Sequence, residues 1–191
     1  MPSPAFTAWS TSSAATLSQL QAHRAVNGGV AARGKNTLQL NYAHVLLLCA
    51  HFQAYCRGLH SNAAQLLVEA SVPGIAAILD ANLSFGRQLD SRNAQPATLG
   101  ADFSRLGLEF WAVVKAADTR NTARQRKLED LNAWRNAIAH HDIEPRRADL
   151  HPHTVTLTAC NTWHRALNGL AESFDRVLAG HLERLLGSPP W

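Results

Sequence analysis

Cysteine is scarce in this sequence, with three residues in a chain of 191. Cys49, Cys56 and Cys160 form no CxxC pair, and their number is odd. These features argue against a disulfide framework and against a zinc knuckle. Cys49 and Cys56 fall on one helical face and are expected to be small core residues. We therefore expect a reducing, cytoplasmic location.

Long apolar runs are also lacking. The longest, residues 43–50, contains His44 and falls short of the roughly 20 residues that a bilayer requires. The first residues, MPSPAFTAWSTSSAA, have neither the basic segment nor the apolar segment of a secretory signal. We expect a soluble protein without a membrane partner.

Acidic residues are fewer than basic ones, and the net charge is +4. Within residues 118–147 the balance is seven Arg and Lys against five Asp and Glu. Such an excess makes RNA a reasonable partner, although an ordinary solvated surface has the same composition.

Strand patterns are nearly absent, because no alternating segment is longer than residues 154–157. Apolar residues instead recur at intervals of three and four, which predicts helices over residues 13–26, 37–68, 102–117, 122–140 and 158–186. Thr122 and Gln125 have the spacing of a capping box, and residues 84–100 read as a loop. The predicted fold is all-α, an antiparallel bundle of four or five helices. It forms one domain over residues 13–187, with a flexible N-terminus (1–12) and a short C-terminal tail (188–191).

One segment combines polar and apolar residues unusually. In LNAWRNAIAHHD, residues 131–142, an arginine, an asparagine and two histidines stand near the expected end of a helix. Asn136 and His140 share a helical face, whereas Arg135 and His140 diverge by about 140°. A site that joins Arg135 to His140 therefore needs either unwinding of the helix near His140 or a second copy of the chain.

The chemistry of these side chains suits a phosphodiester. An imidazole, with an ordinary pKa near 6.5, can take a proton from a hydroxyl and return one to a leaving oxygen near neutral pH. A guanidinium is permanently charged and binds phosphate oxygens through two parallel hydrogen bonds. RNA supplies its own nucleophile, the 2′-hydroxyl, so no metal is needed.

The segment Arg135-Asn-Ala-Ile-Ala-His140 resembles the R-x4-6-H motif of the HEPN superfamily, the higher eukaryotes and prokaryotes nucleotide-binding domain. The resemblance includes the polar residue after the arginine and the position near the end of a late helix. It implies an all-α homodimer with its site at the subunit interface. Active members of the family cleave RNA without a metal and leave a 2′,3′-cyclic phosphate and a 5′-hydroxyl.

The resemblance also implies roles for individual residues. Arg135 would bind the phosphate, His140 would act as acid and base, and Asn136 would orient or assist. Independently of the resemblance, the charge of Arg124 and Lys127 along the motif helix makes them candidates for substrate binding, although a solvated face has the same pattern, and His141, adjacent to the motif, is a further candidate. A toxin or defence setting, with an antitoxin or regulatory protein as a further partner, fits this family.

Other interpretations stay open from the residues alone. Cationic side chains at a helix C-terminus also cap the last carbonyls and interact with the helix dipole. The chain could be a non-catalytic HEPN module that binds nucleic acid, a nucleotide or a protein, or an all-α scaffold. His151 and His153 form a weak metal pattern, and we expect neither a metal nor a cofactor.

Overall fold

The computed structural model describes residues 1–26, 35–143 and 149–191. Within these ranges the fold is all-α, with seven α-helices, one short 3-10 helix and no strand. Two further expectations from the sequence lie outside the described residues. One is that the first helix stops at Gly28-Gly29, and the other is that Pro145, Arg146 and Arg147 belong to a linker that continues to His151 and His153. The α-helices are α1 Pro4–Val26, α2 Lys35–Glu69, α3 Pro73–Ser84, α4 Pro96–Ser104, α5 Phe110–Ala117, α6 Asn121–Ala139 and α7 Leu157–Leu186.

Helix α2 is the centre of the bundle and packs against α1, α3, α6 and α7. Its apolar repeat forms the predicted buried face, because side chains three and four apart share one side of a helix. Tyr55 extends this face and donates its hydroxyl to the carbonyl of Ala171 on α7 (2.7 Å). The buried members of the repeat are Val45, Leu48, Phe52, Tyr55, Cys56 and Leu59.

Helix α7 has well-defined ends. The Thr156 hydroxyl accepts the backbone N–H of Ala159 (3.1 Å), which caps the first turn. Gly187 closes the helix with a positive φ of 74° and donates its N–H to the carbonyl of Glu183. Of residues 154–157, the only candidate strand, Thr156 is the N-cap and Leu157 the first residue of this helix, and none is in a strand.

The N-terminal prediction was wrong. Residues 4–12 belong to α1 and are not a flexible extension of a domain that begins at residue 13. Trp9 is 3% exposed, because it packs edge-on against Phe52 with ring centroids 5.6 Å apart. At the other end, Trp191 of the expected tail packs against the core.

The middle of the chain contains more helices than the four or five predicted. The expected helix over residues 102–117 is two helices, α4 and α5, separated by a turn in which Gly107 has a φ of 83°. The expected loop over 84–100 contains the 3-10 helix Gln88–Asp90 and the start of α4, where Pro96 occupies the first turn.

The predicted capping box of α6 does not form. The helix begins at Asn121, one residue before Thr122, and its N-cap, Arg120, makes no side-chain cap. Asp118 instead accepts backbone N–H groups at the start of the helix. Its carbonyl accepts the N–H of Asn121 and its carboxylate accepts the N–H of Arg120 (both 2.9 Å).

No helix among the described residues combines the length and the apolar character needed to cross a membrane.

Candidate functional site

The buried stripe of α6 fixes where the motif residues point. Leu128, Leu131, Trp134 and Ile138 are buried as predicted, and the indole N–H of Trp134 donates to the carbonyl of Pro152 (2.9 Å). Arg135, at the border of this stripe, is half-buried. The side of α6 that carries Arg135 therefore lies at the edge of the bundle, beside the buried stripe.

The helix ends within the motif itself. Ala139 is the last residue of α6, His140 has left the helical region (φ −98°, ψ 3°), and His141 adopts a left-handed φ of 55°. The backbone N–H of His140 still donates to the carbonyl of Asn136 (3.0 Å). His140 is exposed, which leaves its ring accessible to a ligand.

Arg135, Asn136 and His140 line one open cleft of about 480 Å³. Arg135 and His140 diverge on an ideal helix, but a long arginine stem can extend sideways along the helix surface. Residues 88–98, which we call the 88–98 segment, supply the other lining side chains. These are Gln88, Ser91, Arg92, Asn93, Gln95, Ala97 and Thr98.

The cleft has a clear electrostatic character. Among the residues that the structure describes, two arginines line it and no carboxylate does. An anion placed there would meet fixed positive charge without an opposing negative group, so the cleft suits phosphate.

Asn136 is held by two donors. Its Oδ1 accepts Nδ2 of Asn93 (2.8 Å) and Nη1 of Arg135 (3.3 Å). Because a guanidinium only donates, the Asn136 atom that faces Arg135 must be the oxygen. The amide NH2 of Asn136 therefore points away from both partners, and Asn136 meets His140 through the backbone hydrogen bond described above.

The 88–98 segment is fixed to its neighbours. The buried carboxylate of Asp102 accepts the N–H groups of Gln88 (2.9 Å) and Leu89 (2.7 Å). From α2, the amide of Gln53 donates to the carbonyls of Leu89 (3.0 Å) and Arg92 (2.8 Å). Three elements, α2, α4 and α6, thus hold this wall of the cleft in place.

One signal in the sequence indicates this wall of the cleft. Residues 84–100 lack periodicity, which predicts a loop, yet they contain a run of amide and hydroxyl side chains. Such residues on a connecting segment are frequent in binding sites. One of these residues, Asn93, contacts Asn136 of the motif, which lies 43 residues later in the chain.

Cys49 lies under the motif helix and is not a nucleophile. Burial raises the pKa of its thiol to about 12, and the positive charge of Arg135 opposes this shift without cancelling it. The thiol is therefore protonated near neutral pH. Its packing at the core agrees with the role predicted from its spacing.

Arg124 is engaged in the structure of the bundle rather than facing the cleft. Its Nη1 donates to the Asp118 carboxylate (2.9 Å), to Oδ1 of Asn121 (2.8 Å) and to the carbonyl of Gly169 on α7 (3.3 Å). The same guanidinium fills the space that a side chain at position 169 would occupy. A residue bound in this way joins α6 to α7 and does not line the cleft, and its expected role in substrate binding stays a prediction.

The other two candidate substrate-binding residues also lie outside the residues that line the cleft. Lys127 pairs with Asp130 (3.0 Å) in the first half of α6. His141 is exposed beside the motif, and its substrate-binding role stays a prediction.

The histidine pair of the linker is close in space, with the rings of His151 and His153 5.3 Å apart. Over residues 1–26, 35–143 and 149–191, no group of three or more His, Cys, Asp or Glu side chains comes together as a metal site.

Comparisons of the chain with protein-family models, with curated proteins and with solved structures gave no match.

Proposed function

We propose that this protein is a metal-independent endoribonuclease of the HEPN type. One observation supports the proposal most directly: Arg135, Asn136 and His140 line a single open cleft, and no carboxylate in the described part of the chain lines it. These are the three residues that the resemblance marks as functional. They include the groups that are required to transfer a phosphoryl group from one RNA oxygen to another.

Arg135 and Asn136 bind the phosphate in this proposal. The guanidinium binds non-bridging oxygens and stabilises the charge that develops as the phosphorus becomes five-coordinate. The Asn136 NH2, turned away from Asn93 and Arg135, is available as a further donor. Both groups are held in advance, so little reorganisation is needed when the substrate binds.

His140 moves the proton. Its ring takes the proton of a ribose 2′-hydroxyl while the 2′-oxygen attacks the neighbouring phosphorus. The bond from phosphorus to the 5′-oxygen breaks, and the imidazolium returns the proton to that leaving oxygen. The products are a 2′,3′-cyclic phosphate and a 5′-hydroxyl, with no net change in protons.

The proposal extends to partners. A homodimer with the cleft at the subunit interface, and an antitoxin or regulatory protein that controls it, follow from the family resemblance. Within one chain the two groups already share a cleft. A partner subunit would thus close the site over the RNA rather than supply its missing half.

The deciding experiment incubates the purified protein with end-labelled RNA in EDTA. We expect cleavage that leaves cyclic phosphate ends, with losses of about 100-fold or more in Arg135→Ala and His140→Ala. Arg126→Ala and His153→Ala are matched controls, because both residues are exposed and neither lines the cleft. They should cleave at the rate of the unaltered protein.

Two other outcomes would redirect the proposal. Binding of RNA without cleavage would make the protein a non-catalytic binding module. If the protein neither binds nor cleaves RNA, and Arg135→Ala loses the mass of a dimer, the motif is part of a scaffold.

A further inference from the structure

The cleft contains a second arginine that the motif does not include. Arg92 lies in the 88–98 segment, on the wall opposite the end of α6, and lines the same cleft as Arg135. The two arginines belong to different elements, so their presence in one cleft is a product of the tertiary fold.

The two cleft arginines form no ion pair with a described carboxylate, a property they share with exposed arginines elsewhere, such as Arg126, but not with the arginines that join parts of the bundle. Arg57 and Arg87 pair with Asp90, and Arg120 and Arg124 pair with Asp118. Among the described residues, no carboxylate lies within 4.0 Å of either cleft arginine. Their donors are therefore available to an incoming anion.

The contacts that Arg92 does make are to uncharged groups. Its Nη1 donates to Oε1 of Gln88 at 3.4 Å, a long hydrogen bond within the same wall. Its backbone is held more firmly, since its N–H donates to the carbonyl of Gln88 (2.7 Å) and its carbonyl accepts from Gln53 (2.8 Å). A charged side chain on a fixed backbone is suited to binding a ligand at a defined place.

The rest of the lining indicates which part of a nucleic acid is bound. Among the described residues no Phe, Tyr or Trp lines the cleft, so the planar groups that a base would meet there are the His140 imidazole and the two guanidinium groups. The neutral polar groups are amides and hydroxyls, which bind phosphate and sugar oxygens as readily as base edges.

We infer that Arg92 forms a second phosphate site, and that the cleft takes an RNA strand through two consecutive phosphates, one at Arg135 and the next at Arg92. This inference rests on the proposed function for the identity of the ligand as RNA. It predicts recognition of the backbone with little preference for the base, because the side chains that carry the charge contact phosphates.

The test compares ligands that differ by one phosphate. Calorimetric titration of the His140→Ala variant, in which cleavage is suppressed, uses UpU, with one phosphate, and UpUpU, with two. We expect UpUpU to bind about tenfold more tightly, since a charge-assisted contact is added. Arg92→Ala should abolish this advantage and leave UpU unchanged, whereas Arg135→Ala should weaken both ligands.

Further variants separate charge from folding. Arg92→Lys should retain part of the advantage, and Arg126→Ala, on the exposed side of α6, should retain all of it. With a longer oligouridine, Arg92→Ala should lower the dependence of log affinity on log salt by about 0.7. Unfolding curves of each variant establish that the fold is intact.

The outcomes distinguish this inference from the proposed function. An unchanged UpUpU advantage in Arg92→Ala, or no binding of either ligand at millimolar concentration, would overturn the second phosphate site even if the protein cleaves RNA. An Arg92-dependent advantage in a protein that never cleaves RNA would support the site and refute the nuclease.

Discussion

At the scale of single residues, the orientation of one amide determines what the cleft presents to a phosphate. The NH2 of Asn136 is turned away from Asn93 and Arg135, because the Asn136 oxygen accepts from both. The sequence identified Asn136 as a polar neighbour of the arginine. Which of its two amide atoms faces the ligand depends on Asn93, which no local pattern connects to the motif.

Replacing Asn93 tests this arrangement. In Asn93→Asp a carboxylate oxygen replaces the donor, so Asn136 must turn its NH2 toward it and present its oxygen to the cleft. We expect RNA cleavage to fall about 100-fold, and the side-chain amide signal of Asn136 in nuclear magnetic resonance spectra to shift. Asn93→Ala, which adds no charge, should lose only about tenfold. Full activity in Asn93→Asp would show that the orientation of Asn136 is immaterial.

His60 is a second residue whose state the surroundings determine. It is fully buried, with its Nε2 donating to the carbonyl of Asp102 (3.0 Å) and its Nδ1 facing Nη1 of Arg87 (3.4 Å). Burial, aided by the charge of Arg87, lowers the pKa of His60 to about 4. The folded protein therefore keeps this ring neutral in mild acid, where an unfolded chain would protonate it.

The stability of the protein should depend on pH for this reason. Between the ordinary histidine value near 6.5 and about 4, the unfolded state binds a proton that the folded state does not. The free energy of unfolding should therefore fall as the pH drops through this window, by up to about 3 kcal/mol. Urea unfolding at pH 7.5 and pH 4.5 measures it. In the His60→Gln variant the difference in free energy of unfolding between the two pH values should be smaller. A difference equal to that of the unaltered protein would contradict the assignment to His60.

At the scale of elements, the helices with the clearest apolar repeats are the ones that periodicity predicted best. The ends of α2, α6 and α7 lie within a few residues of the predicted ones. The short helices between α2 and α6 were missed or merged, because eight to twelve residues hold too few turns for a clear repeat to show. The 3-10 helix and the start of α4 belong to the 88–98 segment, which forms the second wall of the cleft.

The contact between α6 and α7 also belongs to this scale. Removing the Arg124 guanidinium leaves Asp118, Asn121 and the carbonyl of Gly169 without their donor. Arg124→Ala should lower the free energy of unfolding by about 1–3 kcal/mol and leave the affinity for RNA unchanged. Lys127→Ala, which removes a more exposed ion pair, should cost less than about 1 kcal/mol. Urea unfolding and RNA titration of both variants would show whether Arg124 is structural.

At the scale of the whole molecule, α2 connects most of the fold, and the cleft lies where α6, the 88–98 segment and the start of α4 meet. The motif arginine and histidine share this cleft within one chain. The geometric reason for requiring a second copy, the divergence of the two side chains on a continuous helix, therefore no longer holds. The homodimer stays a prediction from the resemblance.

Mixing two inactive variants distinguishes a self-contained cleft from one shared between subunits. Arg135→Ala and His140→Ala, incubated together until subunits exchange, should remain as inactive as each alone, because no chain in the mixture has both groups. Light scattering gives the mass of the assembly in the same samples. Recovery of a substantial share of the activity would instead mean that one site takes its arginine and its histidine from different subunits.

Much of this protein is determined locally by its sequence. The intervals between apolar residues set the helical class, the long helices and their buried faces, and the residues 135–140 stand out by composition alone. The tertiary structure decided the rest: that the first twelve residues join the bundle, that Arg124 binds Asp118 and Gly169, and that Arg92 and Asn93 face the motif. The physical reason is range. Periodicity reports which side of a helix avoids water, whereas a hydrogen bond between positions 43 residues apart forms only when packing brings both elements to one place.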